Sequence, residues 1–127
     1  MTDRVGETGS VLAISRFRYD DAGYERARIE LESCLRQFSA RPGFVGGTVG
    51  RALDDPTLWV LATSWEHVGA YRRALSSFDI RLHVVPVLAF AIDEPSAYEV
   101  IVGDGATVPN EAGSRDGSAE RRPVLGG

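Results

Sequence analysis

The sequence predicts an α+β protein with a ferredoxin-like order of elements, β-α-β-β-α-(α)-β, around a four-stranded antiparallel sheet. Three observations lead to this prediction. Several short segments alternate apolar and polar residues, as strands do, and the longer segments between them repeat apolar residues every three or four positions, as helices do. Turn or breaker residues stand at most of the boundaries where one period gives way to the other.

The first strand and the first helix are predicted from residues 11–41. The segment "VLAISRFRY", residues 11–19, alternates and is rich in residues that favour strands. Asp20 and Asp21 then predict a helix N-cap and a negative first turn. The helix that follows carries one apolar stripe and ends before the breaker pair Pro42-Gly43. The stripe consists of Tyr24, Ala27, Leu31, Cys34, Leu35 and Phe38.

The segment "FVGGTVGRALDDPTLWVLATSW" predicts two strands joined by a turn at Asp54-Asp55-Pro56. Gly46 and Gly47 lie inside the first of these strands, with no helix opening after them. They therefore predict a bulge or a close approach by another part of the protein rather than a phosphate-binding loop.

The remaining elements follow Trp65. A helix is predicted to about Ser77, and its buried stripe is Tyr71, Ala74, Leu75 and Phe78. A short helix interrupted at Pro86 comes next. The breaker Asp93-Glu94-Pro95-Ser96 then precedes a last strand, "AYEVIV".

Composition divides the chain into a core and two flanks. Residues 103–127 are rich in Gly, Ser, Pro and charge and have no periodic apolar pattern, so they predict a disordered tail. Residues 1–9 predict a flexible N-terminus. A single domain is expected over residues 10–102.

Charge and cysteine content exclude several classes of protein. The net charge of −4, with no basic stripe, argues against a nucleic-acid partner. The longest apolar run, "VVPVLAFAI", is too short to span a bilayer, and no secretory signal is visible, so we expect a cytoplasmic protein without a membrane partner. The single cysteine, Cys34, suits a reducing compartment, and its place on a helical stripe predicts a buried thiol. His67 and His83, sixteen positions apart, with no acidic partner in ligand spacing, predict no metal site.

The strand that ends at Trp65 is apolar on both faces. Its two faces alternate as Trp59, Leu61, Thr63, Trp65 and as Leu58, Val60, Ala62, Ser64. Two helices cover only one face of a four-stranded sheet, so the second face needs a partner. A homodimer, in which the interface is self-complementary, is the predicted solution.

The order of elements and the segments "RPGFVGG", "TLWVLATSWE" and "AYRRAL" resemble the antibiotic biosynthesis monooxygenase family over roughly residues 11–102. This resemblance implies a dimeric α+β barrel. It also implies, for one branch, a cofactor-independent oxygenase that converts phenols or anthrones to quinones with O2. That branch carries an Asn four residues before a Trp and a Tyr six residues after it. Here Trp65 and Tyr71 match, but Leu61 stands at the Asn position, and the assisting Arg has no clear match, since Arg81 is near but unaligned.

A second branch of the family degrades haem. The resemblance places its axial His on His83, whereas its Asn and Trp positions fall on Ser15 and Ala74. Two of the three residues of that pattern are therefore absent, and haem held by His83 is kept as the third alternative.

The function expected from the resemblance is oxidation of a small aromatic substrate without a cofactor or metal. The expected catalytic residues are Trp65, Tyr71 and His83, with Trp65 and Tyr71 as donors to a developing anion and His83 as a base. The expected substrate-binding residues are Ser15, Phe17, Leu61, Thr63, Ala74 and Phe78. The alternative is a non-enzymatic dimeric barrel that binds a hydrophobic small molecule, in which Trp65 and Tyr71 are core aromatics and His83 a structural residue.

Overall fold

The computed structural model describes residues 9–103. Residues 1–8 of the predicted flexible N-terminus (1–9) and residues 104–127 of the predicted tail (103–127) lie outside this part of the chain. Four strands and four helices follow one another in the predicted order. They are β1 (Val11–Arg18), α1 (Tyr24–Ser39), β2 (Phe44–Ala52), β3 (Asp55–Trp65), α2 (Val68–Ser76), α3 (Phe78–His83), α4 (Val85–Leu88) and β4 (Ala97–Glu99).

The four strands form one antiparallel sheet in the order β2-β3-β1-β4. The central pair, β1 and β3, is in register from Val11 opposite Trp65 to Arg18 opposite Leu58. In contrast, β4 pairs only with Val11, Leu12 and Ala13. The predicted α+β class and ferredoxin-like order are confirmed, but the last strand has three residues instead of the predicted six.

One face of the sheet is buried under the helices. Phe17, Trp59, Leu61 and Trp65 supply the sheet side of this core, and all are at most 4% exposed. The α1 stripe supplies the helix side, because Ala27, Leu31, Cys34 and Phe38 are buried as predicted. Leu35 packs against the same core, whereas Tyr24 at the start of the helix is 46% exposed.

The opposite face of the sheet remains partly exposed along its centre. Leu12, Ile14, Val60 and Ala62 lie on it, and each is only partly buried. We call this surface the open face. Its apolar character agrees with the face pattern of the sequence, and the predicted homodimer across it stays a prediction.

Three local predictions were wrong. The N-cap of α1 is Gly23, without a side-chain capping bond; Asp20 instead closes a turn, its carbonyl accepting the Gly23 N–H at 2.9 Å. Phe78 does not continue the α2 stripe, because Ser77 is extended and Phe78 begins a new helix, leaving its side chain 75% exposed. The break in the following helix falls at Val84; Pro86 lies in the first turn of α4, where a missing N–H costs nothing.

Two glycines allow the start of β2 to pack closely against the helices. Gly43 has a φ of +88°, and a side chain there would collide with Ala70 of α2. A side chain at Gly47 would collide with Leu35 of α1. The register also shifts between Phe44 and Gly46. Both the predicted irregularity and the predicted close approach are thus confirmed.

None of the helices within residues 9–103 has the length and apolar character needed to cross a bilayer.

Candidate functional site

A cleft opens along β1 where β4 stops pairing with it. Beyond Ala13, two separate backbone hydrogen bonds are the only ones that residues 9–103 make with this edge of β1. Ile14 N–H donates to the Ser96 carbonyl, and Ile92 N–H donates to the Arg16 carbonyl. Between this edge, α2 and the segment 88–96 lies a cavity of about 440 Å³, which we call the edge cleft. It is lined by Ser15, Tyr71, Leu75, Leu88, Ala89, Ala91, Ile92, Asp93, Glu94 and Ser96.

Tyr71 reaches the edge cleft because α2 starts at a defined place. His67 is the N-cap of this helix, and its Nδ1 accepts the Ala70 N–H at 3.2 Å. Tyr71 lies one residue further on, with its ring 5.9 Å from the Trp65 ring. Tyr71 also lines a neighbouring cavity of about 420 Å³.

The Tyr71 hydroxyl is available to a ligand. It forms no hydrogen bond with any residue of the described part of the chain. The ring is half-buried, and this burial raises the pKa of the hydroxyl above its ordinary value. The group therefore stays protonated at neutral pH and can donate a hydrogen bond to an anion.

The carboxylates of the edge cleft have different surroundings. Glu94 accepts two hydrogen bonds from the Arg16 guanidinium, both at 2.7 Å, and these bonds lower the pKa of Glu94. Asp93, in contrast, forms no ion pair within residues 9–103. The cleft thus contains one neutralised carboxylate, one unpaired carboxylate and the hydroxyls of Ser15, Tyr71 and Ser96.

Trp65 lies behind Tyr71 in the core. Its side chain is fully buried, and its indole N–H is donated to Thr63 Oγ1 at 2.9 Å. The rings of Phe38 and Phe44 meet it edge-on at 5.6 and 5.4 Å. Trp65 therefore positions the Tyr71 ring, while its own donor is already paired.

The predicted site residues fall into three groups. Ser15 and Tyr71 are brought together in the edge cleft. Phe78 and His83 are exposed on the helical surface, and neither lines the cleft. The third group is buried in the core between sheet and helices: Phe17, Leu61, Thr63, Trp65 and Ala74.

No motif in the sequence indicates that residues 88–96 contribute to a site. Asp93 and Ser96 were assigned only to a chain break, yet they line the cleft that contains Tyr71. Their position in the sequence could have indicated this role. A polar segment directly before the last strand must lie at the sheet edge that this strand joins. Arg16 of β1 holds this segment through an ion pair with Glu94 at 2.7 Å.

Within residues 9–103 no three His, Cys, Asp or Glu side chains are grouped as a metal site requires. His83 is exposed at the C-terminal end of α3, and the haem alternative stays a prediction.

Comparison with known proteins identifies the fold. No family model and no curated protein matches the sequence. Among solved structures, a variant of SnoaB, a cofactor-independent oxygenase from Streptomyces nogalater, is similar with a TM-score of 0.64 and 24% identity, covering 80% of this chain and 99% of that one. A candidate antibiotic biosynthesis monooxygenase from Bordetella bronchiseptica has a TM-score of 0.59 and 16% identity, covering 75% and 98%. Rv0793 from Mycobacterium tuberculosis has the same TM-score and identity, covering 77% and 99%.

These likenesses confirm, at the level of fold, the resemblance to antibiotic biosynthesis monooxygenases. The chain has the α+β fold that SnoaB and the Bordetella bronchiseptica protein share.

Proposed function

We propose that this protein is a cofactor-independent monooxygenase that oxidises a small phenol- or anthrone-type substrate in the edge cleft. The observation that carries the proposal is the unpaired Tyr71 hydroxyl, half-buried beside Ser15 and held against Trp65. The likeness to SnoaB supports the same reaction class.

The reaction needs no external reductant. A phenolate is electron-rich enough to give an electron to O2; one oxygen atom then enters the ring as a carbonyl, and the other leaves as water with the two hydrogens that the substrate loses. The protein has to bind the ring, stabilise its anion and keep water away from the intermediate.

Side chains of the edge cleft can perform these tasks. The Tyr71 and Ser15 hydroxyls donate hydrogen bonds to the substrate anion, and Leu75, Leu88 and Ile92 supply apolar contacts. Asp93 is the carboxylate that we assign as proton acceptor, in place of His83, which lies outside the cleft lining. Trp65 and Thr63 support Tyr71 from the core.

Oxygen uptake by purified protein, free of metal and flavin, tests the proposal. A panel of anthrones, naphthols and dihydroxynaphthalenes is supplied, and quinone formation is followed by absorbance. We expect O2 and substrate to be consumed one to one, with loss of activity in Tyr71→Phe and retention in Tyr24→Phe, a matched change on α1. If the whole panel is left unconsumed, the oxygenase proposal is refuted.

A second function is favoured by a specific observation. The Trp65 N–H is paired with Thr63, and Leu61 stands where the oxygenases of the family carry an Asn. Of two donors expected for a substrate anion, one is therefore already paired and the other is absent. A non-enzymatic barrel that binds a hydrophobic small molecule accommodates both facts. Saturable shifts of the Trp65 indole NMR signal by a panel member, without O2 uptake, would identify this function.

We also propose that two copies pack through the open face to form a homodimer. Its exposed apolar side chains and its position opposite the helices support this arrangement. The edge cleft would then remain on the helical side of each sheet.

A further inference from the structure

A second cavity lies at the opposite edge of the sheet from the edge cleft. It has a volume of about 690 Å³ and is formed between α1 and the β2–β3 hairpin. It shares no lining residue with the edge cleft. We call it the hairpin groove. Its volume lies within the range typical of small-molecule sites.

Arg51 is the central polar group of the hairpin groove. Its guanidinium lies 5.0 Å from the Tyr24 ring centre and 5.6 Å from that of Trp59, which is itself buried. Tyr24 and Trp59 also contact each other, with ring centres 5.5 Å apart. The sheet register shifts directly after Arg51, and such irregularities commonly redirect a side chain next to a site.

The other charges of the hairpin groove are already balanced. Arg28 is paired with Glu25 at 3.1 Å and with Glu32 at 3.0 Å. Arg51 forms no ion pair with a carboxylate of residues 9–103. The groove therefore offers one uncompensated positive charge, held in place by two aromatic rings.

This arrangement has a definite ligand preference. A guanidinium packed on aromatic faces keeps its edge N–H groups free, and these match the two oxygens of a carboxylate. Leu35 and Val49 line the groove beside it and provide apolar surface for a flat ring. We propose that the hairpin groove is a binding site for small planar aromatic carboxylates, separate from the oxygenase cleft.

The two tryptophans of the chain report on the two sites separately. The probe is 2-naphthoate, titrated into ¹⁵N-labelled protein while the two indole N–H signals are followed, assigned with Trp59→Phe. We expect the Trp59 signal to shift and saturate while the Trp65 signal stays in place. The neutral analogue 2-naphthamide should bind at least about tenfold more weakly, since it lacks the charge that Arg51 recognises.

Substitution of Arg51 completes the test. Arg51→Gln should lower the affinity for 2-naphthoate at least about tenfold. Arg51→Lys keeps the charge but loses the pair of parallel N–H donors, so its affinity should lie between those of the unaltered protein and Arg51→Gln. Arg73→Gln, an exposed arginine on α2, is the matched control and should bind as the unaltered protein does. Thermal melts of each variant verify the fold, and Arg51→Lys decides the matter if Arg51→Gln does not fold.

Three results would overturn the proposal: an unshifted Trp59 signal, a shift confined to Trp65, or equal affinity after loss of the Arg51 charge. None of them bears on O2 uptake, so the failure of this proposal and that of the oxygenase proposal can be told apart.

Discussion

Trp65 and Tyr71 are in ring contact, yet their polar groups have different surroundings. The Trp65 N–H is paired inside the core with Thr63, whereas the Tyr71 hydroxyl belongs to a residue of the cleft wall and has no partner in the described chain. The two residues should therefore respond differently when each loses its polar group.

Tyr71→Phe should change the free energy of unfolding by less than about 1 kcal/mol, because no intramolecular hydrogen bond is lost. Oxidation of a phenolic substrate should fall roughly 10²–10³-fold, by analogy with the loss of one donor to a developing anion. Trp65→Phe leaves the buried Thr63 without its donor and should destabilise the fold by about 1–3 kcal/mol. Urea denaturation and O2 uptake on both variants make the comparison. A larger stability loss for Tyr71→Phe than for Trp65→Phe would contradict these assignments.

Cys34 should be unreactive while the protein is folded. Its thiol is 1% exposed, and burial, with a smaller effect of Glu30, raises its pKa to about 11. At pH 8 only about one thiol in a thousand would then be ionised, even before access is considered. Iodoacetamide should label native protein at least about 10²-fold more slowly than urea-unfolded protein. Equal rates in both states would mean that α1 opens readily.

At the scale of elements, the junction between β2 and α2 depends on one backbone conformation. Gly43 is left-handed, and its Cα faces Ala70 with no room for a side chain. Gly43→Ala should cost at least about 1–2 kcal/mol from the backbone alone, with the collision adding to this. Gly46→Ala is the matched control, since a side chain there meets nothing within 4 Å. Thermal denaturation of both variants measures the difference; equal stability would refute the argument.

The β2–β3 hairpin carries a pH-sensitive carboxylate. Hydrogen bonds from Arg18 and then from Thr57 lower the pKa of Asp55 from 3.8 to about 2. A carboxylate whose pKa is lower in the folded state than in the unfolded state stabilises the protein at pH values above the unfolded-state pKa. For Asp55 this contribution disappears as the pH falls from about 4 to about 2.

Asp55→Asn should therefore weaken the protein at neutral pH and flatten the dependence of stability on pH in that window. Asp54→Asn is the control, because the Asp54 carboxylate makes no hydrogen bond within residues 9–103. Urea denaturation at intervals between pH 2 and 5 gives the slopes. Parallel curves for the unaltered protein and Asp55→Asn would show that the hairpin contact does not contribute.

At the scale of the whole molecule, the open face is the surface through which the proposed homodimer should form. Ala62→Glu places a charge on this face directly opposite Ile14. The variant should raise the dissociation constant of the dimer at least about tenfold, because an unpaired charge would be buried. Ile29→Glu, an exposed apolar position on α1, is the control and should leave association unchanged. Sedimentation over a range of concentrations measures both. A folded monomer at micromolar concentration in the unaltered protein would refute the dimer.

The sequence alone determined the order of elements, the buried stripe of α1 and the apolar character of both sheet faces. These features are local: a period of two or of 3.6 residues is present in each segment, and residues such as Leu31 and Phe38 are buried wherever that helix packs. The cap that His67 provides for α2 is equally local, since its partner is three residues away.

Only the tertiary structure decided which side chains share a site. The edge cleft exists because β4 pairs with three residues of β1 and then leaves its edge, so Ser15 and Asp93, 78 positions apart, line one cavity. The pairing of the Trp65 N–H with Thr63, and the exposure of His83 at the end of α3, likewise depend on side-chain direction and helix ends. Such contacts arise from long-range packing, which leaves no period in the sequence from which they could be predicted.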